Sequence, residues 1–225
     1  MIAPLLLPIA PATPGMEAPI TASLPPTFFA AATIEGAYAL TDAGRKVPLM
    51  RYEAVSILPA GRNLVFESAE QHRQFLAALE TKFLENTNQD PKTVYKLLEP
   101  FPAANCHGWI LTGGQYGVCD TELLSILEDN GYVATADVQH GDIVVFTHTG
   151  QVKHTGVVRV DASGSLFVES KWGPFGVYLH AIDNHPFAKT FTFYRSPRSG
   201  HLLTIVPGTA MPGLEMPGNG SRGFK

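Results

Sequence analysis

The cysteine at position 106 is the side chain in this sequence best suited to act as a nucleophile. It lies in the segment Ala-Asn-Cys-His-Gly-Trp (104–109), which follows a proline-rich linker and opens a short apolar run. A cysteine at a helix N-terminus has its thiolate stabilised by free backbone N–H groups and by the positive end of the helix dipole. The same N–H groups can form part of an oxyanion hole. The alternative for Cys106 is a buried structural cysteine that does no chemistry.

A cysteine nucleophile needs a base, and the strand-like segment 152–158 offers His154. Strict alternation places His154 on the face shared by Val152 and Val158, which points towards a core. A buried imidazole needs a polar partner, because leaving it unpaired costs about 1–3 kcal/mol. A thiolate would make an ion pair with it, and Glu169 on the next strand-like segment could orient the ring. The alternative is a core histidine satisfied by its neighbours.

Three segments in the second half of the chain together resemble a known family. They are Asn-Cys-His-Gly (105–108) opening a helix, the run Gly-Asp-Ile-Val-Val-Phe (141–146) and the run His-Thr-Gly-Val-Val (154–158). They are similar to the nucleophile segment, the Gly-Asp turn before the first core strand, and the His-x-Gly-aliphatic strand of the papain-like clan in its circularly permuted form. The NlpC-type and CHAP-type cysteine amidases and endopeptidases have this order. The resemblance covers about residues 103–200.

The resemblance implies a site and a mechanism. Cys106 would be the nucleophile, His154 the general base, and Glu169 the third member that holds His154 in the right tautomer. The backbone N–H of Cys106, together with the Asn105 side chain, would stabilise the oxyanion. No metal and no organic cofactor are implied.

The segment after Glu169 departs from the CHAP pattern. Those proteins usually carry an asparagine two residues after the acid, and this sequence has Lys171 there. Lys171 and Trp172 are also candidate substrate-binding residues, and Trp172, Phe175 and Tyr178 could line a substrate groove. The alternative for the aromatic residues is packing near turns.

The function that the resemblance implies is hydrolysis of an amide or isopeptide bond. Bacterial cell-wall peptide, or peptidoglycan, is the commonest substrate of the families concerned. The same fold also carries protein-directed cysteine proteases, deamidases and acyltransferases, including delivered effectors. A non-enzymatic alternative is a binding module in which Cys106 is inert.

A zinc site is a competing interpretation of the same cysteine. Its ligands would be Cys106, His107 and Cys119 with one further histidine, drawn from His140, His148 and His154. The twelve residues between the two cysteines fit no zinc ribbon or finger spacing. We therefore predict no metal, and a single Cys106–Cys119 disulfide stays open.

Three helices are predicted ahead of the strands. The first covers 69–85, with Ser68 as N-cap and Gln71 reaching back. The second begins at Asp90-Pro91 and ends before Pro100 and Pro102, with an apolar stripe of Val94, Leu97 and Leu98. The third covers 121–129, capped by Asp120 or Thr121, with Leu123, Leu124 and Leu127 facing inwards and Asn130-Gly131 as its exit.

The period changes from helix to strand after Gly141. Predicted strands lie at 142–147, 152–160, 166–170, 177–181 and 190–195, and the first two are joined by a hairpin turn at Thr149-Gly150. A further strand is indicated at 50–58. The fold class is therefore α+β, with a helical N-terminal part packed on an antiparallel β-sheet.

The composition narrows the classes of function. The chain has 225 residues, of which 45% are hydrophobic and 16% charged, and its formal net charge is −4. There is no surplus or run of Lys and Arg, which argues against nucleic-acid binding. No stretch approaches about 18 consecutive apolar residues, which argues against a membrane span.

Both ends of the chain differ from its middle. Residues 1–27 hold seven prolines and no Lys or Arg, and the prolines interrupt the apolar core that a secretory signal requires. We expect a disordered arm there, which could dock on a partner or on the protein itself. A single domain over 28–206 and a flexible Gly/Pro-rich tail over 207–225 complete the organisation. Without a signal peptide, we expect a cytoplasmic protein or a delivered effector.

Overall fold

The computed structural model describes residues 28–55, 68–87 and 92–208. Their elements in chain order are β1 (Phe28–Leu40), β2 (Lys46–Val55), α1 (Ala69–Asn86), β3 (Val94–Leu98), α2 (Cys106–Leu111), a 3₁₀ turn (Asp120–Glu122), α3 (Leu123–Asp129), β4 (Val133–Thr135), β5 (Ile143–His148), β6 (Gln151–Val160), β7 (Leu166–Lys171), β8 (Val177–Ala181), β9 (Thr190–Arg195) and β10 (Thr204–Val206). The predicted arm over 1–27, most of the tail and the end of the strand predicted at 50–58 lie outside the described residues.

The strands form two antiparallel sheets. A seven-stranded sheet has the order β3-β8-β7-β6-β5-β9-β4, and a three-stranded sheet has the order β10-β1-β2. The α+β class is confirmed at this level. The predicted helical N-terminal part is wrong, because the described chain opens with the β1–β2 pair and the helices are interspersed with strands.

The predicted second helix is a strand instead. Residues 94–98 form β3, which pairs antiparallel with β8 through Val94↔His180 and Leu98↔Val177. The spacing of Val94, Leu97 and Leu98 suits a helix, but Leu97 is exposed. Pairing with β8 satisfies the backbone of this short segment, and that tertiary partner outweighs a weak local periodicity.

Helix α1 begins where it was predicted. The Ser68 side chain accepts a hydrogen bond from the backbone N–H of Gln71 over 3.2 Å, which satisfies one of the free donors of the first turn. Its buried acid Glu80 accepts from the backbone N–H of Gly176 over 2.6 Å, from the Tyr178 hydroxyl over 2.5 Å and from Lys96 Nζ over 2.7 Å. These bonds fasten α1 to the end of the large sheet.

The third helix and the hairpin also agree with the sequence pattern, with two exceptions. Leu123 and Leu127 are buried in α3, but Leu124 is exposed and Ile126 takes its place in the core. No side-chain hydrogen bond caps the 3₁₀ turn or α3. The left-handed exit at Gly131 and the positive-φ pair at 149–150 match the prediction.

The two faces of the large sheet carry different layers. Thr155 of β6 pairs with Val145 of β5, and both point to the side that carries α2; we call this the α2 face. Its core also receives the small sheet through Ala39 and Leu49. The opposite face holds a smaller apolar cluster of Val144, Phe146, Val158, Val168 and Ala188.

None of the helices in the described part of the chain has both the length and the apolar character needed to cross a membrane.

Candidate active site

Cys106 is the first residue of α2, and Asn105 is its N-cap. The Asn105 Oδ1 accepts from the backbone N–H of Gly108 over 2.9 Å and from that of Val118 over 3.2 Å, while its Nδ2 donates to the Val118 carbonyl over 2.7 Å. Asn105 is buried and its amide is engaged at both ends. The prediction that this side chain stabilises an oxyanion is therefore corrected: Asn105 starts the helix and ties it to the chain at Val118.

The side chain next to the Cys106 thiol is His107. Cys106 Sγ lies 3.7 Å from His107 Nδ1, and this nitrogen also lies 2.9 Å from Thr155 Oγ1. On the other side of the ring, His107 Nε2 lies 2.9 Å from Asp120 Oδ1. Asp120 stands at the start of the 3₁₀ turn and is half exposed, whereas His107 is completely buried. The thiol, imidazole and carboxylate thus form a chain that leads from α2 to the protein surface.

The charges of Cys106, His107 and Asp120 shift the pKa values of the thiol and the imidazole. Burial acts to raise the pKa of the Cys106 thiol, but the charge and hydrogen bond of His107, with a backbone bond from Thr155, outweigh burial and lower it. Burial acts to lower the pKa of His107, but the Cys106 thiolate and Asp120 outweigh burial and raise it. Both shifts favour the charged form of their group, a thiolate at Cys106 and an imidazolium at His107.

His154 lies on the opposite face of the sheet from Cys106. It pairs with Phe146 of β5, whereas its neighbour Thr155 reaches His107 on the α2 face. The register between β5 and β6 shifts at Lys153, so Val152 points to the α2 face although strict alternation assigns it to the side of His154. A β-bulge reverses the alternation of every residue beyond it. The predicted Cys106–His154 pair is not formed, because His154 itself lies on the face turned away from α2.

The surroundings of His154 are aromatic. Its ring stacks on Phe187 with centroids 3.7 Å apart, and it lies 5.8 Å from Phe146 and 6.4 Å from His185. Its Nε2 is buried and has no hydrogen-bond partner among the described residues. Burial, with the charges of His180, His185 and His107 adding to it, lowers the pKa of His154 well below its usual value. This is the environment of a neutral core histidine.

Glu169 does not orient His154 either. Its carboxylate accepts from Trp109 Nε1 over 3.2 Å and from Arg159 Nε over 2.9 Å. Because Val157 pairs with Glu169, this side chain points to the α2 face. Glu169 therefore connects α2 to β6, and its predicted role beside His154 is corrected.

The remaining predicted residues, Lys171 and Trp172, are both buried. Trp172 donates from Nε1 to Ser170 Oγ over 3.1 Å and packs on Tyr178 with ring centroids 4.4 Å apart. It is a packing residue, so the prediction that Trp172 lines a substrate groove is wrong. Lys171 Nζ donates to the carbonyls of Gly173 and Phe175 over 2.6 and 2.8 Å.

Sequence reasoning missed His107 and Asp120 as partners of Cys106. Adjacent residues on a helix point about 100° apart, so spacing alone does not predict that Cys106 and His107 interact. The bond to Asp120 spans the intervening loop, and no periodic pattern marks it. The only available signal was a histidine directly beside the predicted nucleophile.

The structure gives no support to the zinc alternative. Cys106 and Cys119 are free cysteines, and Cys119 Sγ lies 3.1 Å from Thr121 Oγ1. In the described ranges no three His, Cys, Asp or Glu side chains form a group that could hold a metal ion.

No protein-family model matches this sequence, and neither a curated protein nor a solved structure matches it significantly.

Proposed function

We propose that this protein is a cysteine hydrolase that cleaves an amide or isopeptide bond. Cys106 is the nucleophile, His107 the general base, and Asp120 the group that orients His107. The observation that carries the proposal is the 3.7 Å approach of Cys106 Sγ to His107 Nδ1, with Asp120 on the far nitrogen. Covalent acyl-transfer sites generally have this arrangement, in which the nucleophile contacts the base and the base contacts an orienting acid.

The papain-like, permuted architecture is part of the proposal. Its support is a cysteine at the first residue of α2, with this helix packed on β6 and β7 of an antiparallel sheet. The departure from that family lies in the base: the strand histidine His154 faces away, and His107 on the helix takes its role.

The reaction follows from the ion pair. The Cys106 thiolate attacks the carbonyl carbon and forms a C–S bond, and the backbone N–H of Cys106 stabilises the oxyanion. As the tetrahedral intermediate collapses, the C–N bond breaks and the His107 Nδ1 proton passes to the leaving amine. Neutral His107 then takes a proton from water while the water oxygen attacks the thioester. Release of the carboxylic acid restores the thiolate and the imidazolium.

The first test measures the alkylation rate of Cys106 with iodoacetamide against pH, with Cys119→Ser as the background. We expect an apparent thiol pKa well below the reference of about 8.5. His107→Ala removes the cation beside the sulfur, so the rate at pH 6.5 is expected to fall at least about tenfold. His154→Leu is the matched control, because it removes a buried histidine on the opposite face, and it is expected to leave the profile unchanged.

The two histidine variants separate the outcomes. A profile that responds to His154→Leu and not to His107→Ala would overturn the assignment of the base. An ordinary thiol pKa that neither variant changes would overturn the enzyme and favour the inert binding module, an alternative supported by the 6% exposure of Cys106.

The substrate class that we propose is bacterial cell-wall peptide. Purified peptidoglycan incubated with the protein is expected to release new amino groups, and Cys106→Ala is expected to release none. An unfolded protein substrate serves as the comparison. Cleavage of that protein without release from peptidoglycan would contradict the cell-wall assignment and favour the protein-directed alternative.

A further inference from the structure

Thr155 is a buried polar residue that the proposed reaction does not use. It lies on β6, the central strand of the large sheet, where it pairs with Val145 and is completely buried. The other side chains of β6 in the core of the α2 face, Val152 and Val157, are aliphatic. A hydroxyl in such an apolar layer needs a polar partner, because burying it unpaired is costly.

The partner of the Thr155 hydroxyl is His107. Thr155 Oγ1 lies 2.9 Å from His107 Nδ1, and within the described part of the chain this is the only hydrogen bond of the hydroxyl. The Cys106 sulfur approaches the same nitrogen less closely, at 3.7 Å. Thr155 therefore makes the shorter of these two contacts with the nitrogen that faces the proposed nucleophile.

Two hydrogen bonds at opposite nitrogens fix the His107 ring. An imidazolium carries a proton on each nitrogen, so Nδ1–H donates to Thr155 Oγ1 and Nε2–H donates to Asp120 Oδ1, each over 2.9 Å. Rotating the ring by half a turn would put carbon atoms in place of both nitrogens and break both bonds. Asp120 is half exposed, whereas Thr155 is buried in the sheet, so Thr155 is the more rigidly held of the two partners.

We propose that Thr155 is a positioning residue of the reaction, whose hydroxyl holds His107 with its Nδ1 directed at the Cys106 sulfur. This inference rests on the proposed function, because it requires His107 to work as the base. Thr155 acts through His107 and needs no contact with the substrate. A hydrogen bond from a buried strand to the far side of a working side chain is a general means of keeping that side chain in its productive orientation.

The direct test is Thr155→Val in the Cys119→Ser background, because valine keeps the shape of threonine and removes the hydroxyl. The Nδ1–H of the imidazolium then loses its closest acceptor, so we expect the titration midpoint of His107, followed by its imidazole NMR signals, to fall by about one pH unit. The ring is also no longer held against the sulfur, so the alkylation rate of Cys106 at pH 6.5 is expected to fall about fivefold. Thr192→Val, at an exposed threonine of β9, is the matched control and is expected to change neither quantity.

A second pair of variants separates the hydroxyl from the packing of the side chain. Thr155→Ser and Thr155→Ala both lose the methyl group, and they differ only in the hydroxyl. We expect Thr155→Ser to keep the His107 midpoint and the alkylation rate of the parent protein, and Thr155→Ala to change both as Thr155→Val does. This comparison decides the question if Thr155→Val does not fold.

Failure of this inference is distinguishable from failure of the proposed function. A thiol profile that moves with His107→Ala but not with Thr155→Val or Thr155→Ala overturns the role of Thr155 alone. Equal shifts in Thr155→Ser and Thr155→Ala also overturn it, because the effect would then follow the methyl group. An ordinary thiol pKa that is insensitive to His107→Ala overturns both the inference and the proposed function.

Discussion

Gly108→Ala is expected to destabilise the protein by about 3 kcal/mol or more and to displace the start of α2. A Cβ atom at position 108 would lie 1.8 Å from the backbone carbonyl oxygen of Tyr116, far inside contact distance. The obstacle is backbone and cannot move aside by a rotamer change. Overpacking of this kind typically costs about 1–3 kcal/mol and more where the backbone itself must shift.

The displacement is expected to reach the thiol because the segment after α2 folds back over Gly108. Thr112 Oγ1 lies 2.7 Å from the Gly108 carbonyl and 2.9 Å from that of Tyr116. Two residues beyond Tyr116, Val118 is hydrogen-bonded to the cap Asn105. Pushing Tyr116 outwards therefore strains the bonds that hold Asn105, and with them the position of Cys106.

Urea denaturation measures the loss of stability, and Gly200→Ala is the matched control. A Cβ at position 200 meets no atom within 4 Å, so this variant is expected to be as stable as the parent protein. Equal midpoints for the two alanine variants would show that the close approach at Gly108 does not constrain the fold.

The second large effect is a steep loss of stability between pH 6.5 and 4. His154, His180 and His185 are buried around the same aromatic rings on the opposite face. Burial lowers the pKa of His180 and of His185 to about 4 and that of His154 well below its usual value. In the unfolded chain these histidines take up protons near pH 6.5, so acid favours unfolding.

Proton linkage gives the direction and the size of this loss of stability. At pH 5 each of these histidines is protonated in the unfolded chain and neutral in the folded protein. This difference lowers the free energy of unfolding by about 2 kcal/mol for each of His180 and His185. His107 acts in the opposite sense. Because its pKa is raised on folding, its contribution is fully present below pH 6.5 and is lost only as the pH rises towards its folded pKa.

The carboxylates affect stability only at lower pH. Asp142, bonded to Arg195, has a lowered pKa, so its contribution disappears only below about pH 4. The loss between pH 6.5 and 5 therefore reports His154, His180 and His185, together with His72 and His201, whose pKa burial also lowers.

Urea midpoints at pH 7, 6 and 5 test this expectation. His154→Leu removes one titrating group, together with an unsatisfied buried nitrogen, and is expected to show a shallower loss on acidification. Phe146→Leu removes a ring from the same cluster without removing a titrating group, so it is expected to lower stability equally at each pH. Parallel pH curves for the parent protein and His154→Leu would contradict the buried neutral state of His154.

The elements marked by local chemistry were predictable from the sequence. Ser68 caps α1, Gly131 ends α3, and the turn at 149–150 joins β5 to β6 because side-chain oxygens and positive-φ residues act on their immediate neighbours. β3 was not predictable in this way. Its conformation depends on a partner strand more than eighty residues away, where Val94 pairs with His180.

The position of Cys106 at a helix start was predicted, and its contacts with His107 and with the chain beyond were missed. Cys106 at a helix start is a local feature, whereas the base depends on the face to which each strand residue points. Alternation correctly places His154 on one face with Val158, but that face is turned away from α2, and the bulge at Lys153 moves only Val152 to the α2 face. Which face of a strand a helix covers is decided by tertiary packing, and the local sequence does not mark it.

The small sheet has a consequence for biosynthesis. β1 pairs with β2, its neighbour in the sequence, but its other edge pairs with the distant β10, where Tyr38 meets Val206. The segment just before β10 also binds the end of α2, since the Leu203 backbone N–H donates to the Leu111 carbonyl over 2.9 Å. A nascent chain therefore cannot complete the support of α2 until translation has passed residue 206. Contacts between residues far apart in the sequence form late in folding, so the growing polypeptide holds Cys106 on an incompletely supported helix while it is still on the ribosome.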